Sequence, residues 1–181
     1  MKVTLIAGSN RKNSTSTSLL QYIESLLTER DISVAFVDLF ELPLPLFSPD
    51  NWEFHPNAKR VLEAVADGDG LIIATPEYHG SVSGTLKNAL DYVTGGQMAG
   101  KPVLAVSSAG GPLGVSSLSH LQTIVRNLHG INCSEWISLG HASTIVGADD
   151  MDDVLRKRIE DAVHSFVDLT RRLAAGSAAA N

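Results

Sequence analysis

Leu71-Ile72-Ile73-Ala74-Thr75-Pro76-Glu77-Tyr78-His79-Gly80-Ser81 is the stretch on which the fold turns. Its first four residues form a continuous apolar run, short enough for a strand buried on both faces. Pro76 and Gly80 punctuate the run, and Gly84-Thr85-Leu86-Lys87-Asn88-Ala89-Leu90-Asp91-Tyr92-Val93 follows with helical spacing. A loop between the carboxyl end of a buried strand and the start of a helix is where open α/β sheets put their ligands. Within it Pro76 stiffens the backbone, Tyr78 offers a flat stacking surface, and Gly80 lets the chain bend close to a ligand. The same features also describe an ordinary strand-to-helix turn, so the neighbouring elements have to decide between the two.

Those neighbours alternate between strand-like runs and amphipathic helices. Residues 2–7 read as a first strand, and Leu19, Leu20, Ile23, Leu26 and Leu27 mark one face of the helix after it. Residues 32–37 read as a second strand with Ile32, Val34 and Phe36 on one side. The connection 39–57 carries Pro43, Pro45, Pro49 and Pro56 and does not suit one regular element. A helix bearing Val61, Leu62 and Val65 leads to the third strand at 71–74. Strand four runs over 101–106 with Pro102 at its beginning, Leu118, Leu121, Ile124, Val125 and Leu128 mark the next helix, and strand five covers 131–139. A last helix, residues 150–173, carries Val154, Leu155, Ile159, Val163, Phe166 and Val167, and 176–181 reads as a frayed tail. Five strands separated by helices imply right-handed crossovers and a parallel, doubly wound sheet. Five strands favour the flavodoxin-like order 2-1-3-4-5 in a three-layer α/β sandwich, one domain over residues 1–175. The ligand then belongs above the ends of strands one and three.

Composition narrows the function classes. The 181 residues suffice for one well-formed core, and 44% hydrophobic against 19% charged residues indicates a soluble globular chain. A formal net charge of −6 and the lack of a basic patch argue against nucleic acid or an acidic membrane as the main partner. Cys133 stands alone among apolar neighbours, which excludes an internal disulfide and suits a buried thiol in a reducing compartment. No run reaches membrane-spanning length, and residues 1–7 suit a strand better than a leader, so a cytoplasmic location is expected. Asp149, Asp150, Asp152 and Asp153 admit a divalent metal, but acidic residues also complement the dipole at a helix start, and that is the preferred reading. His55, His120, His129, His141 and His164 are scattered without metal-ligand spacing, and no metal is expected.

The first loop, Gly8 to Ser18, holds hydroxyl residues, Arg11 and a helix N-terminus, the ingredients of a phosphate cradle. It matches neither G-x-x-x-x-G-K-[ST] nor G-x-G-x-x-G, and what remains suits a single terminal phosphate monoester. A Ser-rich helix cap is the plainer alternative. The loop after strand four, Ser107-Ser108-Ala109-Gly110-Gly111-Pro112-Leu113-Gly114, brings adjacent glycines past which a flat ligand fits, or else a simple turn. Together the three loops fit a flat aromatic cofactor with a phosphate at one end.

Gly8-Ser9-x-Arg11 with Ser14 and Ser16, Pro76-Glu77-Tyr78, Leu86-Lys87-Asn88-Ala89-Leu90-Asp91 and Gly110-Gly111 resemble, in order and spacing, the NADPH-dependent FMN reductases of flavodoxin-like fold. That family includes azobenzene, quinone and chromate reductases, and the resemblance covers nearly the whole chain. It implies that Ser9, Arg11, Ser14, Thr15 and Ser16 hold the FMN phosphate. By the same resemblance Pro76, Glu77, Tyr78 and His79 line the isoalloxazine ring, and Ser108, Gly110 and Gly111 flank it. Many relatives carry Asn where this chain has His79, which matches the azobenzene-reductase-like members. The implied chemistry is ping-pong transfer from NADPH, or NADH, through FMN to a small-molecule acceptor, with His79 and Tyr78 as weak candidates for proton donors. A flavin reductase that releases reduced FMN, and a flavodoxin-type electron carrier, are the alternatives. Relatives form homodimers or homotetramers, and the apolar segment Leu42-Pro43-Leu44-Pro45-Leu46-Phe47, without an evident place in the core, is expected beside a subunit interface.

Overall fold

The computed structural model describes residues 1–51, 55–140 and 151–179. Its five strands are β1 (Lys2–Ala7), β2 (Ser33–Asp38), β3 (Gly70–Pro76), β4 (Pro102–Ser108) and β5 (Ile131–Leu139). All pair in parallel, in the order β2-β1-β3-β4-β5. The helices are α1 (Thr15–Thr28), α2 (Pro56–Asp67), α3 (Gly84–Tyr92), α4 (Gly95–Met98), α5 (Val115–Asn127) and α6 (Asp153–Ala179). The expected architecture and strand order are therefore those observed.

Period-two alternation splits the core into two layers. Val3, Leu5 and Ala7 of β1 with Ile72 and Ala74 of β3 face α1 and α6, where Leu19, Ile23, Val163 and Phe166 meet them. Ile6, Leu71 and Ile73 face the other way, onto Val61 and Val65 of α2, Leu86 and Leu90 of α3, and Leu118 and Leu121 of α5. Every residue of β3 is buried, as the continuous apolar run requires of the central strand. Ile32, Val34 and Phe36 share the layer with α1 and α6, as the alternation in that stretch predicts.

Three expectations need correction. The last helix starts at Asp153 and continues through Ala179, so 176–179 belong to it rather than to a tail. Val154, assigned to its buried face, is 80% exposed. The buried stripe steps through Ile159, Ala162, Val163 and Phe166, and residue 154 lies one position off that register. The proline-rich segment has a place after all: Leu42, Leu44 and Phe47 pack on the core beside α2 and α3. Asn88 of α3 binds it, accepting from the Phe47 amide at 2.8 Å and donating to the Pro45 carbonyl at 2.9 Å. Phe47 meets Tyr92 edge to face with centroids 5.1 Å apart. Leu46 stays outside, 86% exposed.

Of the acidic run, Asp149 and Asp150 lie outside the described residues, as does His141. Asp152 caps α6, its carboxylate accepting the Leu155 amide at 2.9 Å, and Asp153 sits in the first turn. Cys133 is buried, and burial pushes its thiol up to about 12. Among the described residues no helix is long and apolar enough to cross a membrane.

Candidate functional site

Parallel pairing brings the carboxyl ends of β1, β3 and β4 to one edge, and three short connections fix the loops that leave them. The Ser83 hydroxyl caps α3 by accepting the Leu86 amide at 3.0 Å, and it donates to the Gly8 carbonyl, joining the β1 and β3 loops. Thr75 accepts the Ser83 amide at 3.0 Å. The Glu77 amide donates to the Ser108 carbonyl at 2.7 Å, which carries the β3–β4 pairing one step past the strands. Ser83 and Thr75 are fully buried, so these ties are protected from water.

The β3 loop is a tight reversal. Tyr78 and Ser81 exchange backbone hydrogen bonds at 3.0 and 3.1 Å, while His79 and Gly80 between them take φ of +52° and +75°. Positive φ at both central positions is the type I′ geometry, which matches the right-handed twist of a hairpin and admits Gly, Asn, Asp or His more readily than branched residues. His79 therefore belongs to the turn. Tyr78 is left 44% exposed beside it.

In the β1 loop Ser14 is the N-cap of α1, its hydroxyl accepting the Thr17 amide at 3.1 Å and pairing with the Ser16 hydroxyl at 3.1 Å. Ser9 Oγ accepts the Arg11 amide at 3.1 Å. Both hydroxyls thus shape the loop, and the Thr15 and Ser16 amides are left without intrahelical partners. No acidic residue lies in the first turn of α1. Arg11 is exposed, and among the described residues its guanidinium has no partner. A helix start with a guanidinium beside it suits an anion.

A cavity of about 370 Å³ lies between these loops, within the range of small-molecule sites. Ser9, Arg11, Ser14 and Thr15 line one end of it. Pro76, Glu77, Tyr78, Ser108 and Gly110 line the rest, so nine of the twelve expected residues converge. Ser16, His79 and Gly111 do not reach it: Ser16 is wholly buried under its hydroxyl pair, and His79 serves the turn. Ala109 and Gly140 line it as well. Gly140 follows β5, whose loop is not among the three read from the sequence; the pairing of β5 with β4, extended by the Ala109 amide donating to the Leu139 carbonyl at 2.9 Å, brings it to the cavity.

Gly110 and Gly111 are the informative glycines. Neither has positive φ, and a Cβ on either would meet nothing within 4 Å. The fold itself does not require glycine there, and Gly110 leaves its part of the cavity wall without a side chain.

The family model of the NADPH-dependent FMN reductases matches residues 1–144. The chain belongs to this family. An FMN-dependent NADPH-azoreductase of Staphylococcus haemolyticus is 34% identical over 179 residues, covering 92% of this chain and 95% of that one. One of the same description from Staphylococcus aureus strain USA300 is 39% identical over 136 residues, 72% of each chain. Among solved structures, FerB, the flavoenzyme NAD(P)H:(acceptor) oxidoreductase of Paracoccus denitrificans, superposes with TM-score 0.79 at 23% identity, covering 94% of this chain and 97% of the other. A flavodoxin from the domain Archaea superposes with TM-score 0.65 at 11% identity, covering 96% and 99%. At such identities these likenesses establish the flavodoxin-like fold, and membership of the FMN reductase family makes the chain an oxidoreductase.

Proposed function

We propose that this FMN reductase family member binds FMN in the 370 Å³ cavity and transfers electrons from NADPH, or NADH, to small aromatic acceptors such as azo compounds and quinones. One observation carries the reading: a single cavity has an anion-seeking end, built from Arg11 and the start of α1, and a flat end between Tyr78 and a glycine that the fold does not need. The azoreductase descriptions of relatives 34–39% identical support the acceptor class.

When bound, FMN would supply the redox chemistry, hydride transfer from the nicotinamide and electron transfer to the acceptor. The chain's own part is binding and orientation. Arg11 and the Thr15 amide would hold the phosphate, while Ser9 and Ser14 keep that loop in shape. Pro76, Tyr78, Ser108 and Gly110 bound the space for the ring. With Tyr78 exposed beside the cavity, nicotinamide and acceptor would stack in turn on one open side, a ping-pong order. His79 is held in its turn and needs no proton-transfer role. We propose also that the chain assembles as a homodimer or homotetramer with Leu46 beside the interface.

Initial rates measured with NADPH and an azo dye varied together test the shared site. Parallel double-reciprocal lines are expected; intersecting lines would require both substrates bound at once and would contradict it.

A further inference from the structure

Helix α5 begins without a cap of its own. Its N-cap is Gly114, with no side chain to accept a first-turn amide. That position has no room for a better cap, because a Cβ on Gly114 would run into the Ser107 hydroxyl and press on Ala109 Cβ at 3.3 Å. Ser107 is itself committed, paired with the Ser117 hydroxyl at 2.8 Å, and Ser117 in turn donates to the Gly114 carbonyl at 3.1 Å. The Gly114 amide donates to Ser138 Oγ at 2.8 Å. Ser107, Ser117 and Ser138 are buried, so a polar network lies directly beneath the glycine loop 109–114.

The missing acceptor comes from another loop. Glu77 Oε2 accepts the Ser117 amide at 2.8 Å, while the Glu77 amide holds the Ser108 carbonyl at 2.7 Å. One residue thus grips both ends of the glycine loop, the strand it leaves and the helix it enters. A carboxylate at a helix start is also favoured by the helix dipole.

We infer that Glu77 is a positioning residue: it caps α5 from the Tyr78 loop and so fixes the spacing between the Tyr78 and Gly110 walls of the cavity. This rests on the cofactor reading above for its consequence in binding, though not for its structural half. Glu77 is itself part of the cavity lining, and with one oxygen engaged at Ser117 its carboxylate acts by fixing the wall in which it stands.

The test pairs Glu77→Ala and Glu77→Gln with the wild-type chain, using amide hydrogen exchange on flavin-free protein and FMN titration on each. Ala is expected to remove protection at Ser117 and its first-turn neighbours and to weaken FMN binding about tenfold, the size of one lost charge-assisted hydrogen bond. Gln retains an accepting oxygen and should restore most of both, within about threefold for FMN. Should Ala weaken FMN with Ser117 protection unchanged, Glu77 would be touching the ligand directly and the inference would fall. Unchanged protection and unchanged affinity would overturn it equally. If the wild-type chain binds no FMN, the cofactor reading fails alone, and the exchange data still decide whether Glu77 caps α5. If Ala fails to fold, Gln carries the comparison, with Ser117 protection at the wild-type level expected and its loss contradicting the cap.

Discussion

Gly110→Leu separates what the fold needs from what a ligand needs. A Cβ at Gly110 meets nothing within 4 Å and the residue has no positive φ, so the folded chain accepts a side chain there. Removing a glycine also restricts the unfolded chain, worth about 0.4–1 kcal/mol in favour of folding. Thermal stability of the flavin-free variant should therefore equal or slightly exceed wild type. The cavity is another matter, because Gly110 lines it and a leucyl side chain would occupy the face on which a flat ring lies. Lifting a ring from about 100 Å² of contact at about 25 cal/mol per Å² costs about 2.5 kcal/mol, close to a hundredfold in Kd. Flavin fluorescence quenching measures that Kd, and Gly111→Leu is the control. Gly111 is equally open but does not line the cavity, so its variant should bind FMN within a fewfold of wild type. Wild-type affinity in Gly110→Leu, or a melting temperature lowered by several degrees, would refute the reasoning.

Three further expectations concern single residues. His79→Val, which puts a branched side chain at φ +52°, should cost roughly 1–2 kcal/mol, whereas His79→Asn should be neutral or better; thermal melts of the flavin-free proteins check both. Arg11→Ala should weaken FMN by roughly ten- to a hundredfold and leave riboflavin, which lacks the phosphate, unchanged; equal losses for the two ligands would remove Arg11 from the phosphate site. Cys133 keeps its proton in the folded chain up to about 12 while the unfolded thiol releases it near 8.5, so the unfolded state binds fewer protons in between. Its contribution to stability is full below about pH 8.5 and declines as pH rises towards 12, and Cys133→Ala should flatten that part of a denaturation series.

Much of this was legible because it is local or periodic. The run Leu71–Ala74 has no polar position and is short enough for a buried strand, and β3 is buried along its whole length. The loops bearing Arg11 and Tyr78 follow from their strands, and nine expected residues do share one cavity. What stayed hidden depends on contacts between distant segments. Nothing near Leu42–Phe47 says that Asn88, more than forty positions on, supplies the hydrogen bonds that bind the segment to α3. The sequence groups Ser16 and His79 with ligand-facing neighbours, whereas the Ser16 hydroxyl pairs with the helix cap and His79 sits in the type I′ turn. Glu77 is legible as a member of the site, but its bond to Ser117 joins segments 40 positions apart and leaves no local signal.

The central claim is that the cavity at the ends of β1, β3 and β4 holds an FMN that NADPH reduces directly. A visible spectrum of the purified protein, reconstituted with FMN and then mixed anaerobically with NADPH in the absence of any acceptor, tests it. The account predicts bound yellow flavin that bleaches on addition of NADPH. Flavin that binds yet stays oxidised would contradict the reductase and point to an electron carrier, and a protein that retains no FMN would contradict the site itself.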